Sequence, residues 1–149
     1  MKKSALVAVA LLAAAAPALS QNVKPENQIK FRRAAYTIMN LNFASLEAMV
    51  ENKKPYNKDE AVRNADIVSL LSSIPRNYFG EGTDKDTRAK PEIWKNRADF
   101  DSKMDKMVSE AAKLPAIARG GDIAALKKQV EDLDEACKAC HDEYRAKQR

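Results

Sequence analysis

"DIAALKKQVEDLDEACKACHDEYR", residues 122–145, carries one unbroken helical period. Ile123, Leu126, Val130, Leu133, Cys137, Cys140 and Tyr144 step by three and four residues, and mostly charged or small residues fill the gaps. This spacing puts the apolar side chains on one face of a helix, because the α-helix repeats every 3.6 residues. Asp122 follows the Gly120–Gly121 turn and is the expected N-cap, its carboxylate placed to accept from the first free backbone N–H groups. Such a helix is stable only when its apolar face packs on other helices, which the rest of the chain must supply.

Proline and glycine divide the preceding sequence into three further helical stretches. The first is predicted to begin near Pro25, with Ile29, Tyr36, Met39, Phe43, Leu46 and Val50 as its core stripe, and to end before Pro55. Phe31, Ala35 and Ile38 fall off that stripe and form a second apolar face. The second helix is expected from Asp59, with Val62, Ala65, Val68, Leu71 and Ile74 running up to Pro75. A loop, "RNYFGEGTDKDTRAKP" (76–91), is the longest irregular segment and a candidate for a local role. The third helix is predicted to start near Pro91 and continue through Phe100, Met104, Met107, Ala111 and Leu114, with a kink or an early end at Pro115. Four amphipathic helices without a strand signal predict an all-α, antiparallel four-helix bundle.

The N-terminus reads differently. Lys2 and Lys3 precede the apolar run "ALVAVALLAAAA", and Ala18 and Ser20 supply the small residues of a cleavage site. We read residues 1–20 as a secretory signal peptide and 21–149 as one domain, exported to the periplasm. Without Lys2 and Lys3, 24 basic residues face 21 acidic ones. That balance is too even for a nucleic-acid partner. No later segment is apolar enough for membrane insertion.

Both cysteines and the single histidine of the chain lie within residues 137–141. C-x-x-C-H is the attachment signature of a c-type haem. Cys137 and Cys140 share one helical face and can add to the two vinyl groups of a haem edge, and His141 then reaches the iron. A redox CxxC prefers a helix N-terminus, where the dipole lowers a thiol pKa, and this pair lies far from one. A zinc site lacks a fourth cysteine or histidine.

A motif in the last helix of a bundle, with "KPENQIKFRRAAYTIM", "KPY", "FGEGT", "KPEIW" and "GD…CKACHDEYR" in order, resembles the cytochromes c′, the class II c-type cytochromes. The resemblance covers the whole chain after residue 20. It implies a left-handed bundle with one covalently attached haem c per chain, held through thioethers from Cys137 and Cys140. It also implies His141 as the axial ligand of a five-coordinate, high-spin iron. By the same resemblance Tyr36 lies over the open iron face, where low-spin relatives carry a methionine. Arg32 or Arg33 neighbours a haem propionate, Arg145 lies beside the axial imidazole, and Phe79 and Trp94 pack near the haem. None of Met39, Met49, Met104 and Met107 occupies the ligand position, and methionine at helical spacing is ordinary core filler.

The expected function is binding of small diatomic gases, NO and CO, in NO binding or detoxification and in electron transfer with periplasmic redox proteins. The alternative is a six-coordinate, low-spin electron carrier that binds no gas. A peroxidase would need a distal histidine to move a proton, so no enzyme activity is expected. The resemblance further implies a homodimer through the first two helices, with Phe31, Ala35 and Ile38 as the candidate face.

Overall fold

A computed structural model describes residues 23–147 of the chain. The signal-peptide reading falls on residues 1–20 and lies outside them. Among the described residues the fold has four long helices, one short turn of α-helix and a 3-10 turn at Pro75–Tyr78; the α-helices are α1 (Pro25–Val50), α2 (Lys58–Ser72), α3 (Glu92–Lys95), α4 (Arg97–Gly120) and α5 (Ile123–Tyr144). α1 packs on α2, α2 on α4, α4 on α5, and α5 closes the ring against α1. Short connections at 51–57 and 121–122 set α1 antiparallel to α2 and α4 antiparallel to α5. Among the described residues no helix is long and apolar enough to cross a membrane.

The caps follow from side-chain chemistry. Asn57, one residue before α2, accepts from the Glu60 N–H at 2.9 Å. Asp122 accepts from the N–H groups of Ala124 and Ala125 at 2.9 and 3.1 Å, as its position predicts. The core they frame is built from Phe43, Leu46, Met49, Val68, Phe100, Met104, Leu114, Leu126 and Leu133. Each such side chain contributes about 1.5–3 kcal/mol when fully buried.

Three expectations are corrected. The third helix does not run on from Pro91, because Asn96 (φ −117°, ψ 49°) breaks it into α3 and α4. The break turns the Trp94 indole toward the loop, where its Nε1–H donates to the carbonyls of Phe79 (3.2 Å) and Gly80 (3.0 Å). Pro115, in contrast, does not end α4, which continues to Gly120. The lost N–H of a mid-helix proline costs about 3 kcal/mol. The buried Leu114 and Ala118 on either side keep the helix on the core and offset that cost. Finally, Ala35 is 6% exposed and belongs to the inner face, whereas Phe31 and Ile38, each 48% exposed, do lie outside it.

One buried carboxylate ties α4 to α5. Glu110 pairs with Lys106 and Lys113, each at 2.6 Å, and accepts from Gln129 Nε2 at 2.8 Å. The lysines, then Gln129, hold its pKa down from 4.5 to about 2. A group with a depressed folded-state pKa stabilises fully above its unfolded value and loses that contribution as pH falls through the folded one. Glu110→Gln is therefore expected to lower Tm at neutral pH, with the gap to wild type closing as pH drops from about 4.5 toward 2. Thermal unfolding followed by circular dichroism at several pH values checks this; a constant gap would contradict it.

Candidate haem site

The α5 period brings Cys137 and Cys140 to the inner edge of the bundle, partly buried against the core, with His141 one residue on at the rim. The thiols are not joined to each other. Burial pushes Cys137 up to about 12, with Asp134 and Cys140 adding to it, and Cys140 up to about 11. Both therefore stay protonated thiols, which does not suit a thiol–disulfide catalyst. Among the described residues no group of three or more His, Cys, Asp or Glu side chains could hold a bare metal ion. The His141 imidazole is held below its ordinary range by partial burial and then by the Arg145 and Arg88 cations. The shift disfavours the imidazolium, and the ring makes no side-chain hydrogen bond among the described residues. Two uncommitted thiols one turn apart and a neutral imidazole beside them are the donor set a c-type haem requires.

Across the bundle, α1 supplies Tyr36. Its phenol lies near Cys140, Cys137, Arg32 and Arg145, and its hydroxyl donates to the Met104 sulfur at 3.8 Å. Burial, reinforced by the cysteines, raises its pKa well above the ordinary phenol range. Tyr36 therefore faces the motif as a protonated phenol.

Arg32 is 4% exposed and fastens the long loop to α1. Its Nη1 donates to the Tyr78 carbonyl at 3.0 Å and to Thr83 Oγ1 at 2.8 Å, and its Nη2 donates to the Thr83 carbonyl. The guanidinium lies 4.4 Å from the centroid of the buried Phe79 ring, which in turn meets Phe100 edge-on at 4.9 Å. Of its five N–H groups, Nε–H and one on Nη2 stay uncommitted to protein and can serve an anionic group. Arg33 instead points outward and donates to the Asp86 carbonyl. The loop fits this clasp because Gly80 comes so close to Gln28 that a Cβ there would meet its Oε1 at 2.8 Å. Gly82 also takes φ +72°, a conformation that favours glycine. Arg32→Met is expected to destabilise the protein by about 3 kcal/mol, since buried carbonyl and hydroxyl acceptors lose a charged donor. Urea unfolding would measure it.

The sequence did not point to Arg88 and Lys90, which fold back on the C-terminal end of α5. Arg88 Nε donates to the Ala146 carbonyl at 2.7 Å, and Lys90 Nζ donates to the carbonyls of Asp142 and Glu143. No periodicity could have found them, because their partners lie more than fifty residues away.

The sequence model of the family described as Cytochrome C′ matches residues 27–145. The chain belongs to the cytochrome c′ family. Cytochrome c′ of Rubrivivax gelatinosus is 38% identical over 126 residues, covering 83% of this chain and 98% of the relative. Its crystal structure matches the fold with a TM-score of 0.79, over 84% of this chain and 99% of that one. Cytochrome c′ from Shewanella frigidimarina, also 38% identical, gives 0.80 over 83% and 98%. A nitric oxide complex of a leucine-to-alanine variant from Alcaligenes xylosoxidans, 35% identical, gives 0.78 over 86% and 100%. As a cytochrome c′ this chain is a c-type haem protein with a four-helix bundle fold, and its two free cysteines are consistent with covalent attachment.

Proposed function

We propose that this cytochrome c′ is a periplasmic protein that carries one haem c per chain. Cys137 and Cys140 form the thioether links and His141 is the sole protein ligand to a five-coordinate, high-spin iron. In this reading it binds NO and CO, in NO binding or detoxification and in electron transfer, and it is not an enzyme. The observation that carries the reading is Tyr36. The side chain that α1 offers to the motif is a protonated phenol, so α1 supplies no strong second ligand. A haem held by these residues would supply the iron, its redox couple and an open coordination position for a small neutral ligand. The chain's own groups do the rest: His141 binds, the Cys137–Cys140 turn orients, and Tyr36 and the surrounding core exclude water and select by size. A nitric oxide complex of a relative 35% identical supports NO as the ligand. Anaerobic titration of the ferrous protein with NO and CO is expected to show saturable binding of one ligand per haem, and absence of binding would overturn the reading.

One observation favours the low-spin alternative. The Met104 thioether lies within 3.8 Å of the Tyr36 hydroxyl, so a sulfur ligand is near the site. Met104→Leu would leave the spectrum unchanged in the five-coordinate reading and would abolish a low-spin spectrum in the other. For a homodimer, Phe31, Ile38 and Leu41 on α1 and Leu70 on α2 supply exposed apolar area on neighbouring helices. Sedimentation is expected to show two haems per particle.

A further inference from the structure

A helix leaves its last four carbonyls without partners inside the helix. In α5 all four are filled, and one distant residue fills three of them. The His141 carbonyl accepts from Arg145 N–H at 3.0 Å, as an ordinary last-turn bond. Lys90 Nζ donates to the carbonyls of Asp142 (3.0 Å) and Glu143 (2.9 Å), and Lys90 N–H donates to that of Tyr144 (3.0 Å). Beside it, Ala89 and Arg145 form an isolated antiparallel bridge. Arg88 and Ala146 pair in both directions, Ala146 N–H to the Arg88 carbonyl at 2.8 Å and Arg88 Nε to the Ala146 carbonyl at 2.7 Å. Residues 88–90 are thus a strap across the end of the helix that carries the motif.

The strap bears on His141 in two ways. The imidazole has no side-chain hydrogen bond among the described residues, so its place depends on the helical turn that the strap closes. A helix C-terminus also carries roughly half a negative charge, felt within its last turn. The Lys90 ammonium lies on the carbonyls that carry this charge, and the Arg88 guanidinium is tied to the Ala146 carbonyl two residues past the end of the same helix.

We propose that the Arg88–Lys90 strap is a positioning device for the axial ligand: Lys90 fixes the turn that presents His141, and Lys90 and Arg88 together offset the negative helix end beside it, which raises the reduction potential of the haem. The proposal rests on the assignment of haem to Cys137, Cys140 and His141. Cations near the iron favour its ferrous state over the more positive ferric one, so their removal must favour ferric protein.

The test is spectroelectrochemistry of haem-loaded Lys90→Met and Lys90→Arg, with haem content measured on the same samples. Lys90→Met is expected to keep its covalent haem and to shift the ferric-to-ferrous ratio at fixed applied potential by about two- to tenfold toward ferric. Backbone amides around His141 in the same variant should exchange faster. Lys90→Arg, which restores charge and donors, should return both readouts toward wild type. A Lys90→Met protein with covalent haem and an unchanged potential would overturn the proposal. Should Lys90→Met fail to accumulate, Arg88→Gln carries the test: a shift toward ferric supports the role of the strap, and an unchanged potential overturns it. Wild-type protein lacking covalent haem would overturn the haem assignment instead, and the haem measurement separates the two failures.

Discussion

Replacing both Cys137 and Cys140 with alanine is expected to abolish covalent haem. Acidified organic solvent, which leaves thioether-bound haem on the polypeptide, should extract all the haem from this variant and none from wild type. The reasoning is geometric. The two thiols are one helical turn apart, unpaired and partly buried at the bundle's inner edge, and no other cysteine exists in the chain to replace them. Of the proposed protein–haem bonds, only the one from His141 would remain, so haem would also exchange into excess acceptor protein. Single replacements should each leave one thioether, visible as a chain that keeps its haem in denaturant but shows an altered haemochrome band. The bundle itself should unfold at lower temperature, because a group bound only by the native state stabilises it by mass action.

Tyr36→Met is expected to convert the iron from five- to six-coordinate and to weaken gas binding strongly. The substitution puts a thioether where the native chain has a neutral phenol, in the neighbourhood of both cysteines. An internal ligand must dissociate before CO can bind, so the apparent Kd rises in inverse proportion to the fraction of open protein. If the sulfur occupies iron nine-tenths of the time, CO affinity falls about tenfold, and tighter ligation lowers it further. Tyr36→Phe is the control. It keeps the ring and loses only the hydroxyl, which reaches the Met104 sulfur at 3.8 Å, so the ferrous protein should stay high-spin. A Tyr36→Phe protein that becomes low-spin would show that the phenol, and not the absence of a ligand on α1, keeps the sixth position open.

What the sequence revealed depended on how local the cause was. α5 was legible from cap to end, because Asp122, the three-and-four spacing and the C-x-x-C-H motif all lie within one helix. Tyr36 could be placed on the inner side of α1, but its contact with the Met104 sulfur of α4 is one that only the fold supplies. Arg32 shows the limit most clearly. A periodic reading treats an arginine as solvated, yet this one is buried because Tyr78 and Thr83 bring their oxygens to it from the loop. The same holds for Lys90, whose three acceptors are carbonyls at the far end of the chain. The break at Asn96 and the continuity past Pro115 have a common source, since local propensity is a weak guide once packing intervenes. Pro115 is tolerated where the core holds Leu114 and Ala118, and Asn96 breaks a helix that carries no proline or glycine there.

The central claim is that α1 offers the iron no second ligand. The most direct test is the absorption spectrum of the dithionite-reduced protein with no ligand added. The account predicts a high-spin ferrous spectrum, with a broad single visible band and a red-shifted Soret maximum. Sharp, separated α and β bands in the unliganded ferrous protein would mean a six-coordinate low-spin iron and would contradict it.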